Sequence, residues 1–179
     1  MKRTVLLPFA LLGLHLSAPA QVVRINRPVG PRPMISAGSI SVIATPAAVS
    51  FNLVSGGAAS GSSGISITTQ ESGISLLSMM SLYGYFASAS ALADTSGDTI
   101  PSSDIFGQCA TGTPTAYTAF TQTGPFASGS SLLIWQSNNL VALAAGRTDV
   151  LSLKINLSTT PQLPAGSYSG TLFLQVQAF

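Results

Sequence analysis

The sequence predicts an all-β chain, an immunoglobulin-like β-sandwich of about seven or more antiparallel strands. Three observations carry the prediction. Apolar and polar residues alternate strictly over Thr148–Leu157 and again over Gly170–Phe179, the signature of a strand with one face on a core. Clusters of Gly, Pro, Ser and Asn interrupt the chain at short intervals, as turns between short strands require. Helical periodicity is almost absent.

The chain opens on a segment of another kind. Lys2 and Arg3 precede a short apolar run, Val5–Leu14, and Ala18-Pro19-Ala20 supplies the small residues a signal peptidase needs. Residues 1–20 are therefore expected to be a secretory signal peptide, removed to leave Gln21 as the mature start. The apolar run is too short to span a bilayer, and no later stretch approaches a spanning length. Export implies the periplasm, the cell surface or the extracellular space. Residues 21–36 hold Pro28, Pro31 and Pro33 beside Arg24, Arg27 and Arg32, and read as a tail or linker. Residues 37–179 have the length of one domain with a single core.

Within that domain the elements follow in order. Ile40, Val42 and Ala44 alternate with Ser39, Ser41 and Ile43, and Pro46 closes the strand. Val49, Phe51 and Leu53 form the next apolar row. A Gly/Ala/Ser connection, Ser55–Gly64, leads into a strand at Ile65–Gln70. Leu76–Ala87 is continuously apolar; Gly84 and the aromatics around it favour a buried strand over Ser81–Ala87. Ser88–Leu92 fits a helical turn or a loop, and Asp94–Asp104 is turn chemistry around Pro101. Further strands are expected at Thr115–Thr123, at Ser131–Gln136 with Trp135, and in the two alternating segments at the end. An outer-membrane barrel is the architectural rival. It fails because Gln177 and Gln175 lie in phase with Phe179 and Phe173, where a lipid-facing row must be apolar.

Composition narrows the function classes. Seven Lys and Arg stand against five Asp and Glu, but loss of Lys2 and Arg3 leaves five against five. From Ala37 onward Arg147 and Lys154 face Glu71, Asp94, Asp98, Asp104 and Asp149, two against five and a net of −3. Such a body lacks the clustered cations of a nucleic-acid footprint. Cys109 is the only cysteine, so no internal disulfide can form, and a buried thiol packed as a small hydrophobe is expected.

Chemistry-bearing constellations are sparse. The one histidine, His15, lies in the expected leader, which removes Ser-His-Asp and Cys-His catalysis and imidazole metal sites from the processed chain. Lys154 falls on the solvent row of its strand and reads as a solubilising residue. Asp94-Thr95-Ser96-Gly97 carries one residue too many for an aspartic-protease signature and has no second copy, so it reads as a turn. Asp94, Asp98 and Asp104 offer oxygens to a calcium ion but match no calcium-loop spacing. Gly56–Gly64 lacks the Lys and Ser/Thr of a phosphate loop. Trp135, Tyr83, Tyr85 and Tyr117 could form a sugar-binding platform, although strand aromatics are more often core. Asn156-Leu157-Ser158 fits the glycosylation sequon. No catalytic residue, cofactor or metal is expected.

Two segments resemble a known group. Ser41–Phe51, SVIATPAAVSF, resembles the opening strand pair of secreted bacterial sandwich domains. Leu163–Leu174, LPAGSYSGTLFL, is similar to the closing turn and strand of spore-coat-U-like and chaperone–usher pilus-subunit-like proteins. The resemblance implies an immunoglobulin-like sandwich, a periplasmic chaperone that assists folding, and self-assembly into surface fibres. The expected function is a non-catalytic exported surface protein of structural or adhesive kind. A secreted carbohydrate-binding module is the alternative.

Overall fold

Alternation becomes strand along most of the chain. The computed structural model describes residues 11–15, 39–72, 79–124, 129–138, 144–160 and 162–178. The strands are β1 (Leu11–His15), β2 (Ser39–Thr45), β3 (Ala48–Asn52), β4 (Ala58–Ser60), β5 (Ile65–Ser72), β6 (Met79–Tyr85) and β7 (Ser90–Ala93). They continue with β8 (Thr99–Pro101), β9 (Ile105–Cys109), β10 (Thr118–Ala119), β11 (Ser131–Asn138), β12 (Ala144–Asn156), β13 (Ser169–Thr171) and β14 (Phe173–Ala178). A 3-10 turn, Ser102–Asp104, joins β8 to β9.

One layer of the sandwich is the sheet β10-β9-β12-β5-β2, with β4 also paired to β12. Its run β2-β5-β12-β9 follows the A-B-E-D order of an immunoglobulin-type sandwich. The other layer has two contiguous parts, β11-β6-β14 and β3-β1-β13-β7-β8. β13 and β14 are one strand interrupted at Leu172; its first part pairs with β7 and its second with β6. The chain also changes layer at Pro46, since β2 pairs with β5 while β3 pairs with β1.

The core lies between the layers and is one continuous cluster. The inward row of β12, Leu151, Leu153 and Ile155, is fully buried and continues into Leu157. Ile65 and Ile67 from β5, Val49 and Phe51 from β3, and Leu172 and Leu174 from the last strand complete it. At its centre Phe120 meets Phe86 edge-on, with ring centroids 5.1 Å apart. Gly107 makes room for Phe120, because a Cβ there would sit 2.5 Å from Leu132 Cδ2 and 3.2 Å from the Phe120 ring.

A second local device fixes the approach to the last strand. Tyr168 is fully buried just before β13, and its hydroxyl donates to the Pro164 carbonyl at 2.9 Å. This is the tyrosine corner of Greek-key sandwiches. At Gly170 a Cβ would collide with the Ala91 carbonyl of β7, so only glycine lets these strands meet.

Several sequence expectations need correction. Ser88–Leu92 is no helical turn, since Ser90–Ala93 is strand β7. Turn chemistry over Asp94–Asp104 holds at its two ends, the turn at Asp94–Asp98 and the 3-10 turn at Ser102–Asp104, whereas Thr99–Pro101 between them is strand β8. The Ser55–Gly64 connection contains β4, held in register by Lys154, Ile155 and Asn156 of β12. The strand expected over Thr115–Thr123 contracts to β10, and β9 was not anticipated. The start of the Leu76–Ala87 run, the tail expected at residues 21–36 and Phe179 lie outside the described residues.

Two outcomes test this packing. Leu172→Ala should cost about 2–5 kcal/mol in chemical denaturation, as transfer and cavity losses add, whereas Phe173→Ala, on the half-buried outer row, should cost roughly 1–2. Burial, and then the charges of Asp94 and Asp98, raise the Tyr168 pKa above its ordinary value. The folded chain therefore keeps the proton that an unfolded chain loses near pH 10, so stability is fully present below that pH and falls above it. Tyr168→Phe should lower stability at neutral pH by about 1 kcal/mol and flatten the fall seen in urea melts above roughly pH 10.

Candidate functional site

The feature that stands apart from ordinary sandwich packing is the space between β3 and β13. In an immunoglobulin-type sandwich a seventh strand follows the sixth in sequence and pairs beside it. Here the place next to β13 is taken by β1, which comes from the opposite end of the chain. β1 runs antiparallel to β3, with Leu12 opposite Phe51, Gly13 opposite Ser50 and Leu14 opposite Val49. It runs parallel to β13, with Gly13 beside Ser169 and His15 beside Thr171. All other named strand pairings are antiparallel.

β3 has little else to pair with. The Ser50 backbone is satisfied on its far side, where its N–H donates to Ser62 Oγ at 3.2 Å and its carbonyl accepts from Ser62 N at 2.9 Å. Backbone groups alternate sides along a strand, so those of Val49 and Phe51 face β1. Both side chains are core residues, 1% exposed. The strand beneath β1 is therefore fixed by packing while its outer hydrogen-bonding edge depends on β1. An edge of this kind is a template for another strand.

Candidate polar residues are dispersed. Asp94 caps its own turn, accepting from the N–H groups of Ser96 at 2.9 Å and Asp98 at 2.8 Å. Asp104 is 5% exposed and accepts from the Thr159 and Thr160 hydroxyls at 2.8 and 2.6 Å. It pins the loop after β12 to the 3-10 turn. Among the described residues no group of three or more His, Cys, Asp or Glu could hold a metal ion. Lys154 lies on the outer row of β12 with its ammonium 5.7 Å from the Tyr117 ring centre. The Asn156 side chain accepts from Ser158 N at 3.2 Å.

A buried polar cluster was not foreseen from the sequence. Asp149 is fully buried on β12 and receives two bonds from Arg147, at 2.6 and 2.7 Å, and one from Thr111 at 2.8 Å. The Arg147 guanidinium also donates to the Thr111 carbonyl and lies 5.2 Å from the Trp135 ring centre. The hydrogen bond to Asp149 raises the Arg147 pKa. Cys109 Sγ, fully buried, is 3.8 Å from Asp149. The cluster ties the loop after β9 to β12, and its thiol has no access to solvent.

The aromatics divide. Trp135 is 4% exposed and belongs to the core. Tyr83, Tyr85, Phe173 and Gln175 share the outer face of β6 and β14; Tyr85 stacks on Phe173 at 5.3 Å and donates to Gln175 at 3.4 Å. No helix among the described residues is long and apolar enough to cross a membrane, which says nothing of a β-barrel.

The buried cluster yields a directional test. Arg147→Met leaves the Asp149 carboxylate sealed in the core without its cation, and should cost about 3–5 kcal/mol. The Arg147→Met/Asp149→Leu double variant should recover much of that loss in the same denaturation experiment. Against protein-family models, curated proteins and solved structures alike, the chain finds no match.

Proposed function

We propose that this chain is an exported, non-catalytic surface protein of structural or adhesive kind, a fimbrial-like subunit that joins its neighbours through a sheet edge. The observation that carries the reading is the strand order β3-β1-β13. β1 falls inside the segment with the features of a cleaved leader. Once that segment is removed, β3 presents unpaired backbone between the buried side chains of Val49 and Phe51, facing the open edge of the half-buried β13, a site suited to strand addition by another chain. The body supplies no His, and its carboxylates at Asp104 and Asp149 are engaged by Thr and Arg partners. Both features fit a binding or building role better than hydrolysis. The tail at residues 21–36 is the segment of the processed chain available for donation, and a periplasmic chaperone is the partner that would protect the edge before assembly.

A second reading, a secreted carbohydrate-binding module, rests on the outer face of β6 and β14. Stacked Tyr85 and Phe173 with Gln175 combine an apolar surface and an amide, the pairing a sugar ring uses. Loss of glycan-array retention in Tyr85→Ala and Phe173→Ala would support this reading. Equal retention by the variants and the parent would reject it.

The exported protein should begin at or close to Gln21, which intact-mass measurement checks. Protein starting there should self-associate in light scattering. A chain starting at Ala37 should stay monomeric and melt at a lower temperature, because it lacks a strand to donate. Two monomers with the same melting temperature would reject assembly through the tail.

A further inference from the structure

We infer that the free edge of β2 is an interaction surface for a second copy of this chain. The two β2 strands pair antiparallel about a two-fold axis at Val42 and join the two sheets edge to edge, an isologous contact. This edge lies in the layer facing β3 and β13, and the inference does not rest on assembly through the tail. Three observations support it.

The first is an edge without protection. β2 ends its sheet and pairs with β5 over all seven of its residues. Among the described residues its outer N–H and C=O groups meet no strand, and such a row is a template for one. Edges are ordinarily blunted by a charge, a proline, a bulge or shortness. Three other terminal strands follow that rule. β10 has two residues, β8 has three and ends in Pro101, and β11 carries a register shift between Leu133 and Trp135. Ser39-Ile40-Ser41-Val42-Ile43-Ala44-Thr45 has no charge, no proline and no shift against β5.

The second is that this strand is complementary to itself. Paired residues of antiparallel strands share a face, so only registers that match row with row are open, and the one centred on Val42 pairs the whole strand. It sets Ile40 opposite Ala44 and Val42 opposite Val42 on the inner row. On the outer row it sets Ser39 opposite Thr45 and Ser41 opposite Ile43. Ile40, Val42 and Ala44 are only partly buried where they border the core, and the identical row of the second copy completes their cover. The third is the outer surface itself. Ile43 is 59% exposed there; in the paired strands the two Ile43 side chains become diagonal neighbours and cover one another. Thr68 and Thr148 continue the row of Ile43 across the sheet, and Ser66 and Val150 that of Thr45. No like charges meet when such a surface is doubled. Seven residues of one strand bury less than a standard interface. Isolated copies therefore separate in dilute solution and pair where chains are concentrated.

The experiment uses the protein expressed from its full chain, in a Cys109→Ala background, at about 1 mM, the dissociation-constant scale of contacts below standard size. Copies carrying Ser41→Cys are mixed with copies carrying Ile43→Cys and oxidised. The mixture should give a disulfide-linked dimer with one copy of each kind. Each variant alone should give at least about tenfold less, because like positions sit diagonally, beyond disulfide reach. Ser39→Cys and Thr45→Cys copies, opposite one another in the same register, report the effect of charge. Adding Ser41→Lys and Ile43→Lys to both sets lysine opposite lysine and should lower the cross-link several-fold. Adding Ser41→Lys and Ile43→Glu sets lysine opposite glutamate and should restore it; this variant carries as many changes and controls for loss of the fold. Equal yields in the mixture and the single variants, or a yield that the lysine pair leaves unchanged, would overturn the pairing. Cross-linking by a chain starting at Ala37 but not by the longer protein would assign the edge to the chain's own tail and overturn it likewise. Light scattering of the chain starting at Gln21 keeps this inference apart from assembly through the tail. Cross-linking with a monomeric chain upholds the β2 pairing and rejects the tail; self-association without cross-linking does the reverse.

Discussion

Backbone pairing across the space between β3 and β13 is the constraint on which a whole layer of this architecture depends. A strand that places Val49 and Phe51 in the core cannot leave its outer N–H and C=O groups unmatched without cost. The body supplies every other neighbour from its own sequence: β5 between β2 and β12, β6 between β11 and β14, β7 beside β13. At this one position the partner is borrowed from the beginning of the chain. The immunoglobulin-like order A-B-E-D in the facing sheet is complete without it, so the dependence is confined to one layer.

That confinement lets a firm core coexist with a strand contributed from a distant part of the chain. The facing layer is built on β12, whose thirteen residues pair with β5, β9 and β4. The polar ties at Asp149 and Asp104 fasten loops to the same strand and to the turn after β8. These interactions are remote in sequence from β1 and hold whether or not the slot is filled. Tyr168 and Gly170 then set the position of β13, which becomes one wall of the slot.

What could be read from the sequence follows from where alternation survives. β2, β3 and β14 each carry an unbroken apolar row on one face, as do the Ile65–Ile67 part of β5 and the Leu151–Ile155 part of β12, and Leu151, Leu153, Ile155, Leu172 and Leu174 on those rows are buried. β9 escaped notice because its inward row is Ile105, Gly107 and Cys109, in which glycine makes room for Phe120 and hides the pattern. β7 escaped because Ala91 and Leu92 are both buried at a register shift, so its alternation is broken. The ties of Asp149 to Thr111 and of Asp104 to Thr159 and Thr160 join residues far apart in the chain, and no local signal announces them. β1 is the instructive case. A short apolar run after two cations has the composition of a leader, and nothing in that composition says which strands it can pair with.

The burial of Cys109 bears on how the chain must behave while it folds in oxidising surroundings. In the folded domain the thiol is sealed behind Asp149, Thr111 and Arg147, so an oxidising surroundings finds nothing to attack. Before folding the same sulfur is open, and every other chain in the vicinity carries one like it. Disulfide-linked dimers can arise only in that interval, and once formed they keep the sulfur from its place beside β12. In such surroundings the speed of folding therefore decides how much of the protein escapes covalent misassembly.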